Sequence, residues 1–109
     1  QKAEIYHGAF AISVCPSEGL ESPTVVGAQA ANELLDIVGI KASFILTQMG
    51  DTIYFSARSI DEINVQIIME RLGGGHRTIA GAQLKGATID EAREKLKDLI
   101  TDMMEKGEI

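Results

Sequence analysis

The sequence is short of the residues from which disulfide scaffolds, metal centres and membrane anchors are made. It has one cysteine, Cys15, in 109 residues. That excludes an internal disulfide and suits a reducing compartment, where a lone cysteine usually closes a strand as a small buried hydrophobe. There are two histidines, His7 and His76, and no Asp-His-His run or spaced carboxylate cluster, so nothing has the pattern of a metal site. Neither is there an apolar run near the roughly 20 residues that span a bilayer, nor a basic-then-apolar signal peptide. No membrane contact is therefore expected of this stretch. The chain begins Gln-Lys-Ala-Glu without an initiating Met and is expected to be a fragment of a longer protein. Basic residues are scarce as well: ten Lys and Arg against sixteen Asp and Glu give a formal net charge of −6. A general nucleic-acid surface needs clustered cations to displace counterions, and this balance argues against one.

What is present is an ordinary globular composition, 45% hydrophobic and 24% charged, with the length of one domain, 1–109. There is no internal repeat, low-complexity tract or linker. Residues 3–14 are rich in β-branched and aromatic side chains and are expected to form a strand, with Gly8 as a bulge and His7 as a pairing residue rather than a ligand. Pro16 ends it. Ser22-Pro23 opens a helix, Val26, Ala30, Leu34, Ile37 and Val38 recur at helical spacing, and Gly39 closes it. Gly27, Ala28, Ala30 and Ala31 let that helix lie close to a sheet. Glu33 and Asp36 share roughly one face and are read as solvated surface.

Residues 41–47 are apolar or β-branched in both alternating rows, which predicts an interior strand. A tight turn at 48–51 leads into Thr52–Arg58, where Ile53, Phe55 and Ala57 point one way and Tyr54, Ser56 and Arg58 the other. Val65, Ile68, Met69 and Leu72 form one helical stripe ending at Gly73. Residues 79–84 are expected to return as a short strand. Thr88-Ile89-Asp90-Glu91 is a capping box opening a last helix with a stripe of Ile89, Ala92, Leu96, Leu99 and Met103. The methionines are read as core filler. The expected class is α+β, an α/β sandwich: a small mixed sheet of about four to five strands with helices packed on it.

The stretch that stands out is Leu72-Gly73-Gly74-Gly75-His76-Arg77. Three glycines bare the backbone N–H groups, and the side chains after them offer further donors, which is the make-up of an anion cradle. Charge agrees: residues 57–86 hold four basic residues against three acidic ones, while the remainder holds six against thirteen. An anion would be drawn to this region. Arg58 is the first candidate, since a guanidinium can grip a phosphate with two parallel bonds; Ser56 on the same face adds a hydroxyl. Taken alone, each feature has a structural alternative, a strand-end surface arginine and a glycine C-cap loop. His76 has two roles open to it, donating to a ligand or pinning the loop through a backbone carbonyl.

Ser56-Ala57-Arg58-Ser59, then Asn64 to Glu70, then Gly73 to His76, then Ala82-Gln83-Leu84, resemble the DHH-associated domain. That is the C-terminal, substrate-binding half of DHH-type phosphodiesterases, and the resemblance is strongest to those acting on cyclic di-AMP in Gram-positive bacteria. It covers about residues 41–104 and thins toward the N-terminus. It implies a nucleotide substrate, a cyclic dinucleotide or a short oligonucleotide, contacted by Ser56, Arg58, Gly73, Gly74, Gly75, His76 and Arg77. The resemblance carries Arg77 less securely, because the position just after the histidine varies in related motifs. Breaking a phosphodiester usually needs water activated on a metal, and the resemblance assigns that to a DHH domain of the same full-length chain, carrying manganese. The fragment itself is expected to hold no cofactor and to be inactive alone. It implies a cytoplasmic location, with any membrane anchor upstream, and leaves a homodimer open. Nanoribonuclease and single-strand exonuclease relatives, the C-terminal domain of alanyl-tRNA synthetase and a purely structural oligomerisation module are the alternatives.

Overall fold

A computed structural model of the protein describes residues 3–15, 23–60, 63–73 and 81–109. Among the described residues five strands and three helices follow in the order β1 (Glu4–Tyr6), β2 (Phe10–Cys15), α1 (Pro23–Leu34), β3 (Ala42–Met49), β4 (Thr52–Ser59), α2 (Val65–Gly73), β5 (Gly81–Lys85) and α3 (Ile89–Glu105). The strands make one mixed sheet in chain order, β1-β2-β3-β4-β5. Among the described strands only β2 and β3 run parallel. A parallel pair needs a long crossover, and α1 supplies it.

The strand alternation sorts side chains onto two faces. Phe10, Ile12, Phe44, Leu46, Ile53, Phe55 and Ala57 are buried on one, in a core shared with Ile68, Met69 and Leu72 of α2 and with Leu96, Ile100 and Met103 of α3. Ala11, Ser43, Ile45, Thr47 and Ser56 are buried on the other. There α1 covers the sheet, and Ser43 Oγ donates to the Ala31 carbonyl at 2.5 Å. The layers are α1, sheet, then α2 with α3. β3, buried on both faces over Ala42–Thr47, is the central strand that its two apolar rows predict.

Local signals explain most element ends. α1 starts at Pro23, where a fixed φ and a missing N–H cost nothing; its expected cap Ser22 and the strand breaker Pro16 lie outside the described residues. α2 is capped by Asn64, whose Oδ1 accepts from the N–H groups of Gln66 and Ile67 at 3.1 and 3.3 Å. α3 opens on the capping box, with Glu91 N–H donating to Thr88 Oγ1 at 3.1 Å and Thr88 N–H to Glu91 Oε1 at 2.9 Å.

Two expectations are corrected. The first strand is not continuous over 3–14: His7 (φ 51) and Gly8 (φ 70) both take positive φ, and Ala9 N–H donates to the Tyr6 carbonyl at 3.2 Å. Positive φ at both central residues is the geometry of a hairpin turn, so the chain doubles back into β1 and β2. His7 therefore sits in a turn, not in a ladder. The second correction is α1, which ends at Leu34 rather than at Gly39. Bonds spanning three residues, Asp36 to Glu33 and Ile37 to Leu34, replace the helical ladder. Val38 is 99% exposed, so its helical spacing reflects no buried stripe.

β1 is stitched to α3. The Tyr6 hydroxyl and His7 Nε2 both meet Thr101 Oγ1, at 2.7 and 2.9 Å, and Lys97 pairs with Glu4 while lying 5.5 Å from the Tyr6 ring centroid. The bond to Glu4 raises the Lys97 pKa against a smaller lowering by burial.

Candidate functional site

The site candidates begin on β4. Register pairs Arg58 with Ser43 of β3, and Ser56 with Ile45 of β3 and with Gly81 of β5. Both Ser56 and Arg58 therefore project on the α1 side of the sheet, as their alternation requires.

The environments of the two differ. Ser56 is 7% exposed and lies beneath Gly27 of α1. A Cβ at Gly27 would stand 2.6 Å from Ser56 Oγ and 3.2 Å from Ser56 Cβ, so the glycine is what lets the helix approach. Arg58 is half-buried nearer the strand end, and its Nη1 donates to the Ala57 carbonyl at 2.7 Å. Among the described residues no carboxylate pairs with Arg58. A guanidinium with a backbone bond from Nη1 and no acidic partner among the described residues has further N–H donors to offer an anion.

Gly73 is the last residue of α2. Gly74, Gly75, His76 and Arg77 lie outside the described residues, so no geometry is given to them. The chain rejoins the sheet at Gly81, opposite Ser56. The strand that carries Arg58 and the point where the glycine-histidine segment re-enters the sheet are thus neighbours at one end of the β4–β5 pair.

Electrostatics change one part of the sequence reading. Arg71, counted there among the cations of the motif region, is held by Glu108 with two parallel bonds, Nη1 to Oε1 at 2.7 Å and Nη2 to Oε2 at 2.8 Å. That bond raises the Arg71 pKa and lowers that of Glu108, against smaller opposing shifts from burial. With Arg71 neutralised by a carboxylate, Arg58 gains weight as an anion contact.

Among the described residues no three His, Cys, Asp or Glu side chains group so that they could hold a metal ion, and no helix is long and apolar enough to cross a membrane. His7 is engaged with Thr101 and Tyr6, far along the sheet from β4. Sequence reasoning did not single out Asn64 or the Arg71–Glu108 pair. An Asn just before an apolar stripe is a recognisable cap signal; a pair 37 residues apart has no local signature.

A family model described as the DHHA1 domain matches residues 9–102. The cyclic-di-AMP phosphodiesterase PdeA of Listeria monocytogenes is 46% identical over 110 residues, covering 99% of this chain and 16% of that protein. The cyclic-di-AMP phosphodiesterase GdpP of Geobacillus thermodenitrificans is 49% identical over 85 residues, covering 76% of this chain and 13% of that protein. The chain thus spans less than a fifth of the length of these relatives. Among solved structures, the C-Ala domain of Aquifex aeolicus alanyl-tRNA synthetase is similar with a TM-score of 0.64 at 22% identity, covering 93% of this chain and 99% of that one. At that identity the likeness speaks for the fold alone.

Proposed function

The chain belongs to the DHHA1 domain family, and from that premise we propose that it is the substrate-holding part of a DHH-type phosphodiesterase acting on cyclic di-AMP. The reading assigns bond cleavage to a DHH domain elsewhere in the full-length chain, where manganese would supply an activated water. Among the described residues no donor set fits a metal centre, and the reading routes no step of that chemistry through this chain. The domain would work in the cytoplasm, with any membrane anchor upstream.

The share of this chain is grip. Arg58 offers two donors to a phosphate oxygen pair. Gly73, Gly74 and Gly75 offer backbone amides, with His76 and Arg77 as further donors. Ser56 adds a hydroxyl only from beneath α1, which makes Arg58 the leading contact. The observation that carries the reading is the Ser56–Gly81 pairing: it joins the strand bearing Arg58 to the chain that returns from the glycine motif. Identity of 46% and 49% to two proteins named as cyclic-di-AMP phosphodiesterases supports cyclic di-AMP as the substrate. The net charge of −6 speaks against a long nucleic acid in its place.

The test is Arg58→Ala in the full-length enzyme. A charge-assisted hydrogen-bond pair is worth about 1.5–3 kcal/mol, so kcat/KM for cyclic di-AMP should fall by about 10–100-fold with circular dichroism unchanged. An unchanged kcat/KM would remove Arg58 from the site.

A further inference from the structure

We propose that the open face at the β4–β5 edge of the sheet is a shelf for one adenine of the substrate, with Tyr54 stacking on the ring and Gln83 pairing with its edge. The inference rests on the reading of Arg58 as the phosphate contact, and it supplies a contact to the base.

Register places the residues. Tyr54 of β4 stands opposite Gln83 of β5, Ser56 opposite Gly81, and Thr52 opposite Lys85. Ala82 and Leu84 turn into the core, so Gly81, Gln83 and Lys85 lie on the α1 side of the sheet together with Tyr54, Ser56 and Arg58. α1 packs on β3 and β4 and closes over Ser56. Farther out the cover thins: Tyr54 and Gly81 are half-buried, while Gln83 and Lys85 are exposed. Among the described strands β5 is the last of the sheet, so none walls off this face.

The side chains suit a purine. Residues directly opposite on one face stand about 4.5–5.5 Å apart at Cβ, so a flat ring laid on Tyr54 meets the Gln83 amide at its rim. Stacking on an aromatic side chain is indifferent to the base; the amide makes the choice. A glutamine donates to N7 of adenine and accepts from its N6 amino group in one bidentate contact, whereas guanine presents two acceptors on that edge. Among the described residues no side-chain hydrogen bond or ring contact involves Tyr54 or Gln83. The other tyrosine is the contrast, since Tyr6 is engaged by Thr101, His7 and Lys97. Arg58 and Lys85 put a cation at each end of the shelf, and among the described residues neither pairs with a carboxylate. Tyr54 and Arg58 are four residues apart, about 13 Å along the strand. That is a span for linked nucleotides rather than for a lone phosphate.

The experiment uses the full-length enzyme with manganese and two substrates, cyclic di-AMP and its 7-deaza analogue, in which C–H replaces N7. Wild type should use the analogue about 2–10-fold less well in kcat/KM, one hydrogen bond being lost. Gln83→Ala should lower kcat/KM for cyclic di-AMP by about 5–100-fold and use both substrates equally. Tyr54→Leu, which keeps the bulk and removes the aromatic face, should raise KM for both by about 5–100-fold. A glutamine that merely blunts a sheet edge would leave the preference between the substrates as it is in wild type. Arg58→Ala is the control and should lower kcat/KM for both substrates alike. If it does so while Gln83→Ala and Tyr54→Leu behave as wild type, or if wild type shows no preference, the shelf is overturned and the phosphate contact stands. If Arg58→Ala has no effect, the reading of Arg58 falls; a preference that still depends on Gln83 would uphold the shelf by itself, and its absence overturns both.

Discussion

A methyl group on Gly27 would lie 2.6 Å from the hydroxyl oxygen of Ser56, so α1 and β4 meet there with no space for a side chain on the helix. Overpacking of this kind typically costs 1–3 kcal/mol, roughly, when the neighbours cannot move. Gly27→Ala should therefore lower the urea midpoint. Combining it with Ser56→Gly, which removes both contacting atoms, should cost at least about 1 kcal/mol less than the sum of the single changes. Additive effects would show that the two positions do not press on each other.

The Thr88 cap is exposed and local, which makes its prediction simple. Thr88→Ala leaves the first turn of α3 without its side-chain acceptor and should cost about 1 kcal/mol, while Thr88→Ser should be close to neutral. Chemical denaturation reads this as a lower midpoint at constant slope; an Ala variant as stable as the Ser variant would contradict it.

His7 separates backbone from side chain. Its φ of 51 suits Asn and disfavours a β-branched residue. Both His7→Asn and His7→Val lose the bond to Thr101, so the difference between them isolates the backbone. Val should be the less stable by about 1–2 kcal/mol, measured by thermal unfolding at one pH.

Glu108 sets a pH dependence. Its bond to Arg71 lowers its pKa from an ordinary 4.5. A carboxylate whose folded pKa is depressed adds stability above its unfolded value and loses it as pH falls through the folded one. Wild type and Glu108→Gln should therefore differ in melting temperature near neutrality and converge as the solution is acidified below 4.5. Both partners are exposed, so added salt should narrow the gap at pH 7 as well. A difference constant from neutrality to strong acid would mean the carboxylate charge is not involved.

These predictions fall where local reading and structure part company. The stripe Val65, Ile68, Met69 and Leu72, the box at Thr88 and Glu91, and the doubly apolar row of β3 were all legible, because each is set by neighbours within a few residues or by a face of fixed period. The end of α1 was not. Ile37 and Val38 keep helical spacing, yet they are 44% and 99% exposed, and periodicity cannot tell an apolar residue that packs from one that does not. The hairpin at His7-Gly8 was missed because His-Gly is not the Asn-Gly or Asp-Gly pair that usually signals such a turn, and the ties that favour it, to Thr101, lie more than ninety residues away. Of the candidate residues, the shared face of Ser56 and Arg58 was legible, because strand alternation sets it. That Ser56 is covered by a helix, and that Arg71 is already engaged, depend on contacts between elements that no spacing reports.

The order of strands in the sheet is the order in which the ribosome makes them, and this bears on assembly. Each new strand finds its neighbour already synthesised, and no connection need thread past another. The face lined by Phe44, Leu46 and Phe55, however, is roofed in part by α3, the final helix. Until those last residues emerge, a nearly finished sheet carries a greasy, open side, and a chain stalled or truncated before Ile89 would be a candidate for chaperone capture and aggregation rather than a smaller working domain.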